Sequence, residues 1–203
     1  MPAVSDAHLL AIARDLAVDA GALALRRRHE GVTVAATKSS PVDVVTETDR
    51  EVEAFIRSRL AELRPDDAFV GEESDASDGA SGLTWVVDPI DGTVNFLYGI
   101  PAWSVSIAVV EGGGDPLTWT AIAGCVVNPL LGEVYSAARG AGAFLGDERL
   151  AVSGADDLAL SLVGTGFAYA AATPRPQARI VPEPVGRARD PRRMGSAAPD
   201  LRA

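Results

Sequence analysis

The chain is organised around one stretch, Thr84-Trp85-Val86-Val87-Asp88-Pro89-Ile90-Asp91-Gly92-Thr93-Val94-Asn95-Phe96. Its apolar, β-branched first half predicts a buried strand that ends at Asp88, and Pro89 predicts a turn before Asp91. Two carboxylates held this close repel each other and raise each other's pKa unless a cation lies between them. Because Mg²⁺ prefers oxygen ligands from one or two carboxylates, together with water and phosphate, the corner predicts a site for a hard divalent cation.

The residues after this corner suit an anion. Gly92 allows close backbone approach, and Thr93 offers a hydroxyl in the first turn of a predicted short helix, where free N–H groups are available. A solvated surface turn is the alternative for two acids in a loop. Such a turn needs neither the preceding strand, nor the proline between the acids, nor the Gly-Thr pair, and all three favour an ionic site.

A second acidic corner is built in the same way. The short apolar segment 68–70 predicts a strand, and Gly71-Glu72-Glu73-Ser74 follows it. A polar loop is the alternative here too. Because both strands end in carboxylates and few other corners of the chain do, we expect the two corners to converge on one site.

Composition restricts the class of protein. A chain of 203 residues can bury one core, as a single compact unit with two subregions. Its 47% hydrophobic and 23% charged residues are ordinary for a globular protein. The formal net charge of −10 argues against nucleic acid as a partner. Such an acidic protein attracts an anionic ligand only where bound cations reverse the local sign, in agreement with metal-binding carboxylates.

The sequence also favours a cytoplasmic location. Cys125 is the only cysteine, which rules out an intrachain disulfide, and its strand pattern predicts a core residue. The first residues lack the basic region of a signal peptide. The longest uncharged run, 92–110, contains Gly99 and Pro101 and would make a poor membrane span. We therefore expect no membrane partner.

Local patterns predict the remaining elements. Helical spacing predicts a long first helix capped by Ser5 or Asp6 and ended by Gly31, with both histidines exposed on it. A capping box at 48–51 predicts the start of a second helix. Its predicted buried stripe is Val52, Phe55, Ile56, Leu60 and Leu63. Strand patterns occur at 32–34, 103–109, 117–127, 132–137 and 161–167.

Three segments in this order resemble the signature of the inositol monophosphatase family: 38–49, 71–74 and 88–96, with a weaker match at 189–198. The resemblance implies an α+β fold, a layered α/β/α/β sandwich of the sugar-phosphatase type with an incomplete second subdomain. It implies an N-terminal α+β metal- and phosphate-binding subdomain at 1–145. The incomplete C-terminal α/β subdomain would comprise 146–203.

The resemblance also implies a metal site. Glu72, Asp88 and the Ile90 carbonyl would hold one Mg²⁺. Asp88 and Asp91 would share a second Mg²⁺ with an aspartate that family members carry beyond the point where this chain stops. Lys38, the only lysine, and Asp49 would lie behind the metal ligands.

Catalytic and substrate roles follow from the same resemblance. Glu72 and Thr93, together with Asp91, would position and deprotonate the attacking water. The expected substrate-binding residues are Asp91, Gly92, Thr93, Ser196 and Ala197. These roles agree with the demands of phosphoryl transfer, which are positioning and charge neutralisation.

The implied function is Mg²⁺-dependent hydrolysis of a small phosphorylated polyol or sugar, inositol monophosphate above all, by a homodimer. A haloacid-dehalogenase-type phosphatase is disfavoured, because Asp88 and Asp91 are three residues apart rather than two and no lysine follows them. One alternative remains open: a truncated, catalytically impaired relative that binds metal, phosphate or a partner without efficient turnover. The abrupt end of the chain also favours a fragment of a longer product.

Overall fold

A long helix, α1 (Asp6–Glu30), opens the described part of the chain. In this computed structural model the described residues are 4–37, 44–112, 116–167 and 186–200. Ser5 caps the helix by accepting a hydrogen bond from the backbone N–H of His8, and Gly31 ends it, so both predicted ends are confirmed. The two histidines are exposed, as predicted. No helix among the described residues is long and apolar enough to cross a membrane.

Helix α2 (Glu47–Leu63) begins earlier than predicted. Its N-cap is Thr46, and the capping box pairs Thr46 with Asp49 rather than 48 with 51, because Asp49 bonds back to the Thr46 backbone N–H. The predicted stripe is confirmed at Val52, Ile56 and Leu60. It is wrong at its last member, Leu63, which is 47% exposed where the helix ends.

The central element is a sheet whose seven described strands lie in chain order. They are β3 (Ala68–Gly71), β4 (Leu83–Asp91), β5 (Ser104–Glu111), β6 (Thr120–Asn128), β7 (Glu133–Ala138), β8 (Gly142–Leu145) and β9 (Glu148–Arg149). The pair β3–β4 is parallel and all other neighbours are antiparallel. Leu117, predicted to begin β6, lies instead in an exposed 3-10 turn, Pro116–Thr118.

The predicted turn at Pro89 is wrong. Strand β4 continues through Pro89 to Asp91, and its pairing shifts instead: Asp88 faces Ser106 and Asp91 faces Ser104 on β5. Three steps along β4 thus match two steps along β5, which is a β-bulge. A bulge tolerates proline because it does not require every backbone N–H of the strand. The bulge therefore presents both acids at the end of the strand.

The two long helices cover one side of this sheet. Helix α1 packs on β5, β6, β7 and α2, and α2 packs on β4. The hydrophobic core contains Trp85 and Trp103. The rings of Trp103 and Phe96 pack edge to face, with their centres 4.9 Å apart. Cys125 is buried as predicted, and its burial raises the pKa of its thiol to about 12.

The remaining described elements are short. Strands β1 (Val34–Thr37) and β2 (Val44–Thr46) pair antiparallel, and β10 (Leu162–Gly164) and β11 (Asp190–Arg192) pair parallel. Helix α3 (Thr93–Tyr98) follows β4, and α4 (Ala197–Asp200) follows β11. The strand expected at 32–34 therefore starts only at Val34, and the strand expected at 161–167 is shorter, Leu162–Gly164. The α+β fold class is confirmed, whereas the division after residue 145 stays a prediction.

Candidate active site

A cavity of about 210 Å³ lies at the end of β3 and β4. Its lining includes every residue predicted to bind metal or substrate, namely Glu72, Asp88, Ile90, Asp91, Gly92, Thr93, Ser196 and Ala197. Two of these residues meet because β3 and β4 are parallel and Gly71 pairs with Val87, so the next residues, Glu72 and Asp88, leave neighbouring strands at the same edge. The convergence of the two acidic corners is confirmed.

Negative charge is concentrated around Asp88. This side chain is half-buried, and its Oδ1 accepts a hydrogen bond from the backbone N–H of Ile90 at 3.1 Å. Burial, followed by the neighbouring charges of Glu72 and Asp91, raises the pKa of Asp88 well above its ordinary value. Such an environment disfavours an isolated carboxylate and favours a bound cation.

The carboxylate of Asp91 is engaged by the segment 196–198. Its Oδ2 accepts hydrogen bonds from the Ser196 hydroxyl at 2.7 Å and from the backbone N–H of Ala198 at 2.7 Å. Its Oδ1 accepts one from the backbone N–H of Ala197 at 3.0 Å. Asp91 therefore links the end of β4 to the start of α4, more than a hundred residues later in the chain.

The donor atoms at this edge suit a hard cation, although the carboxylates are not gathered into a compact cluster. Within the described ranges, no group of three or more His, Cys, Asp or Glu side chains is arranged to hold a metal ion. The Asp91 carboxylate accepts hydrogen bonds from residues 196–198, in agreement with that finding. The carboxylates of Glu72 and Asp88 and the Ile90 carbonyl form an all-oxygen donor set, which fits Mg²⁺.

Asp49 lies behind Thr93. The Thr93 hydroxyl is 3.1 Å from Asp49 Oδ1 and 3.1 Å from the Ile90 carbonyl oxygen, so its one proton is shared between two acceptors. Asp49 is fully buried and also accepts hydrogen bonds from the backbone N–H and hydroxyl of Thr46. Burial raises the pKa of Asp49, and these hydrogen bonds only partly oppose the shift. Lys38, the other residue predicted behind the ligands, lies outside the described residues.

The sequence interpretation missed three residues on the far side of the cavity. Thr165, Phe167 and Arg193 line it, and the Arg193 guanidinium lies 6.0 Å from the centre of the Phe167 ring. Arg193 is the one cationic side chain among the described residues of the lining. Its position within the weaker family match at 189–198 was the available signal, because nothing local indicates that β10 and β11 close the cavity.

Asn95 is a fourth residue whose role sequence reasoning missed. It is buried, and its Nδ2 donates hydrogen bonds to the carbonyl oxygens of Ala102 at 2.6 Å and Met194 at 2.8 Å. Gly92, at φ 95°, leaves so little room beside it that an added Cβ would lie 3.1 Å from the Gly195 carbonyl oxygen. The segment before Ser196 is therefore packed directly against α3.

We predict that Asn95→Asp loosens this packing. The substitution places a carboxylate oxygen where an amide N–H₂ now meets two carbonyl oxygens, so two hydrogen bonds are lost and like partial charges face each other. Hydrogen–deuterium exchange should be faster by about tenfold at residues 194–198, while exchange in α1 serves as the internal control. Unchanged exchange at 194–198 would contradict the role assigned to Asn95.

Comparison with known proteins gives consistent results. The inositol monophosphatase family matches residues 5–203. An inositol-1-monophosphatase of Mycobacterium bovis is 43% identical over 213 residues, a match that covers 96% of this chain and 71% of the relative. The extragenic suppressor protein suhB of Bartonella henselae superposes with a TM-score of 0.85 at 33% identity, over 96% of this chain and 73% of that one. The Thermotoga maritima IMPase gives a TM-score of 0.82 at 30% identity, over 95% and 70%.

Proposed function

The chain belongs to the inositol monophosphatase family, a family of phosphoric monoester hydrolases, and we propose that it hydrolyses a small phosphate monoester, inositol monophosphate foremost, with Mg²⁺ as cofactor. One observation carries the proposal. Two strand ends bring Glu72 and Asp88 into one cavity with the Ile90 carbonyl and the hydroxyl of Thr93. That combination of anionic oxygens and a hydroxyl suits metal-dependent attack of water on phosphorus.

The proposed metal ligands are Glu72, Asp88 and the Ile90 carbonyl, with Asp88 and Asp91 holding a second ion. When bound, Mg²⁺ would neutralise the phosphate charge and make water easier to deprotonate. In this proposal Glu72 and Thr93 orient the attacking water and accept its proton, with the Thr93 hydroxyl passing its own proton to Asp49. Asp49 holds the Thr93 hydroxyl in place from behind, through the 3.1 Å hydrogen bond.

The substrate would lie between β4 and the segment 196–198. Gly92 and Thr93 would contact the phosphate, and Ser196 and Ala197 would contact the alcohol part. Asp91 would join the two regions, because its carboxylate already accepts hydrogen bonds from Ser196 and Ala197. Lys38 also belongs to the proposed set of site residues. Homodimer formation and a cytoplasmic location belong to the same proposal. Light scattering of the purified protein tests whether it forms a dimer.

The direct test is phosphate release from inositol 1-phosphate in millimolar Mg²⁺. The same assay on other sugar phosphates, histidinol phosphate and nucleotide bisphosphates would rank the substrates. We expect release that stops on addition of EDTA and returns with excess Mg²⁺. Release that is indifferent to EDTA would contradict the metal mechanism.

A second candidate function is binding of metal and phosphate without efficient turnover. The observation that favours it is the engagement of Asp91, whose two oxygens accept hydrogen bonds from Ser196, Ala197 and Ala198. A carboxylate held in this way must rearrange before it can share a second ion. Metal binding by calorimetry, with no phosphate release from any substrate of the panel, would select this candidate.

We predict that Thr93→Ala lowers turnover by about 100-fold, the low end for a group that assists proton transfer. The substitution removes the hydroxyl that lies between Asp49 and the Ile90 carbonyl. Thr93→Ser is the matched control, since it keeps the hydroxyl and should retain most of the activity. Equal activity of the alanine and serine variants would remove Thr93 from the mechanism. Steady-state kinetics at saturating Mg²⁺ makes the comparison.

A further inference from the structure

Helix α2 carries two buried carboxylates one turn apart. Asp49 and Glu53 have relative exposures of 0% and 2%. Residues four apart lie on the same face of a helix, so both carboxylates point to one side of α2. Asp49 holds the hydroxyl of Thr93, whereas the proposed mechanism gives Glu53 no role. A buried carboxylate is costly unless it is hydrogen-bonded, so its partners identify its function.

Among the residues that the structure describes, the hydrogen-bond partners of Glu53 lie in the corner at 71–74, which carries Glu72. Glu53 Oε2 accepts a hydrogen bond from the backbone N–H of Glu73 at 2.8 Å, and Oε1 accepts one from the Ser74 hydroxyl. A Cβ added to Gly71 would lie 2.4 Å from the Glu53 carboxyl carbon. The backbone on both sides of Glu72 is therefore in contact with one carboxylate.

Helix α2 also contacts the corner at 71–74 and its neighbours through a third side chain. Arg57, one turn beyond Glu53, donates a hydrogen bond to the carbonyl oxygen of Asp75. Its guanidinium also lies 4.4 Å from the centre of the Phe69 ring on β3. Helix α2 thus contacts the strand before the corner, the corner itself and the residue after it.

We infer that Glu53 is a positioning residue for Glu72. Helix α2 then sets the distance between Glu72 and Thr93, because Glu53 contacts the corner that carries Glu72 and Asp49 contacts the Thr93 hydroxyl. This inference rests on the proposed function, in which Glu72 is a metal ligand. Groups behind metal ligands orient them, and their loss typically weakens metal binding by about 10–100-fold. A purely structural role for Glu53 would lower stability and leave metal affinity unchanged.

The test is Mn²⁺ binding to the whole chain, followed by electron paramagnetic resonance of the free ion. We predict that Glu53→Gln weakens Mn²⁺ binding by about 10–100-fold, since the variant keeps the shape of the side chain but loses its charge and one acceptor oxygen. Glu51→Gln is the matched control on the same helix. Its carboxylate is exposed and pairs with Arg27 at 2.7 Å, away from the corner, so affinity should stay at the wild-type value.

Turnover provides a second readout. At saturating metal, kcat of Glu53→Gln should stay within a few-fold of wild type, because added ion restores occupancy of the site. If Glu53→Gln does not fold, Ser74→Ala decides, since it removes one donor to Glu53 on the corner and should weaken Mn²⁺ binding about tenfold. Wild-type affinity in the folded variant overturns the inference.

The proposed function is tested separately by Asp88→Asn in the same experiment. Loss of Mn²⁺ binding in Asp88→Asn with wild-type binding in Glu53→Gln overturns only the positioning role. Wild-type binding in Asp88→Asn overturns the proposed metal site and the inference together. Weaker binding in both variants, with Glu51→Gln unaffected, supports the inference.

Discussion

Mg²⁺-dependent phosphate release should fall by more than about 100-fold in Asp88→Asn, because a metal ligand should matter at least as much as the groups that orient it. Asp88 is the proposed ligand with the strongest charge argument, since burial and the charges of Glu72 and Asp91 raise its pKa. Asparagine keeps the shape and the oxygen that accepts from the Ile90 N–H but carries no charge. Phosphate release from inositol 1-phosphate measures the effect.

Thermal unfolding separates this loss from misfolding. Without metal, Asp88→Asn should melt no lower than wild type, because the substitution relieves repulsion from Glu72 and Asp91. With Mg²⁺, wild type should gain stability through binding and the variant should not. Asp147→Asn, in the exposed turn between β8 and β9, is the control and should behave as wild type in both assays. Undiminished Mg²⁺-dependent release in Asp88→Asn would exclude the proposed site.

Trp85→Ala should lower the free energy of unfolding by about 3–5 kcal/mol, the usual cost of removing a large aromatic side chain from a core. Trp85 is 1% exposed, and its strand, β4, lies between β3 and β5 and packs on α2. Its indole N–H also donates a hydrogen bond to Asp67 Oδ2 at 2.8 Å. Chemical denaturation followed by circular dichroism measures the change.

Trp85→Phe separates packing from hydrogen bonding. This variant fills most of the volume and loses the bond to Asp67, so it should cost about 1–2 kcal/mol. Asp67 keeps its pairing with Arg64 at 2.8 Å. Burial on its own would raise the pKa of Asp67, but hydrogen bonds from Arg64, Ser81 and Trp85 outweigh it and lower the pKa. A loss below about 1 kcal/mol in Trp85→Ala would show that the core repacks at this strand.

Much of the fold could be predicted from local patterns. The ends of α1 at Ser5 and Gly31 follow from capping chemistry, which acts within one helical turn. The predicted start of α2 is two residues late because Thr46–Asp49 and Thr48–Glu51 both have the spacing of a capping box, and the helix uses the first pair. At Pro89 the local preference predicts a turn, but strand β4 continues because it pairs with β5 and accommodates the proline in a β-bulge.

The candidate site, too, could be predicted only in part from local sequence patterns. Glu72 and Asp88 were identified because each follows an apolar strand, and their meeting depended on one further fact, that β3 and β4 are parallel neighbours. The roles of Asn95 and Glu53 escaped sequence reasoning. Each is a polar residue on a helix, and only its partners, Met194 for Asn95 and the Glu73 backbone for Glu53, distinguish it from an ordinary helix residue.

The sequence alone was enough to establish the periodicity of the elements, the chemistry of the two acidic corners and the resemblance to a phosphatase family, because these depend on residues near one another in the chain. The three-dimensional structure was needed to show that Asp91 accepts its hydrogen bonds from residues 196–198 and that Glu53 holds the corner of Glu72. Those contacts join residues distant in sequence. They form only when strand order and helix packing bring the partners together, and no local preference encodes that choice.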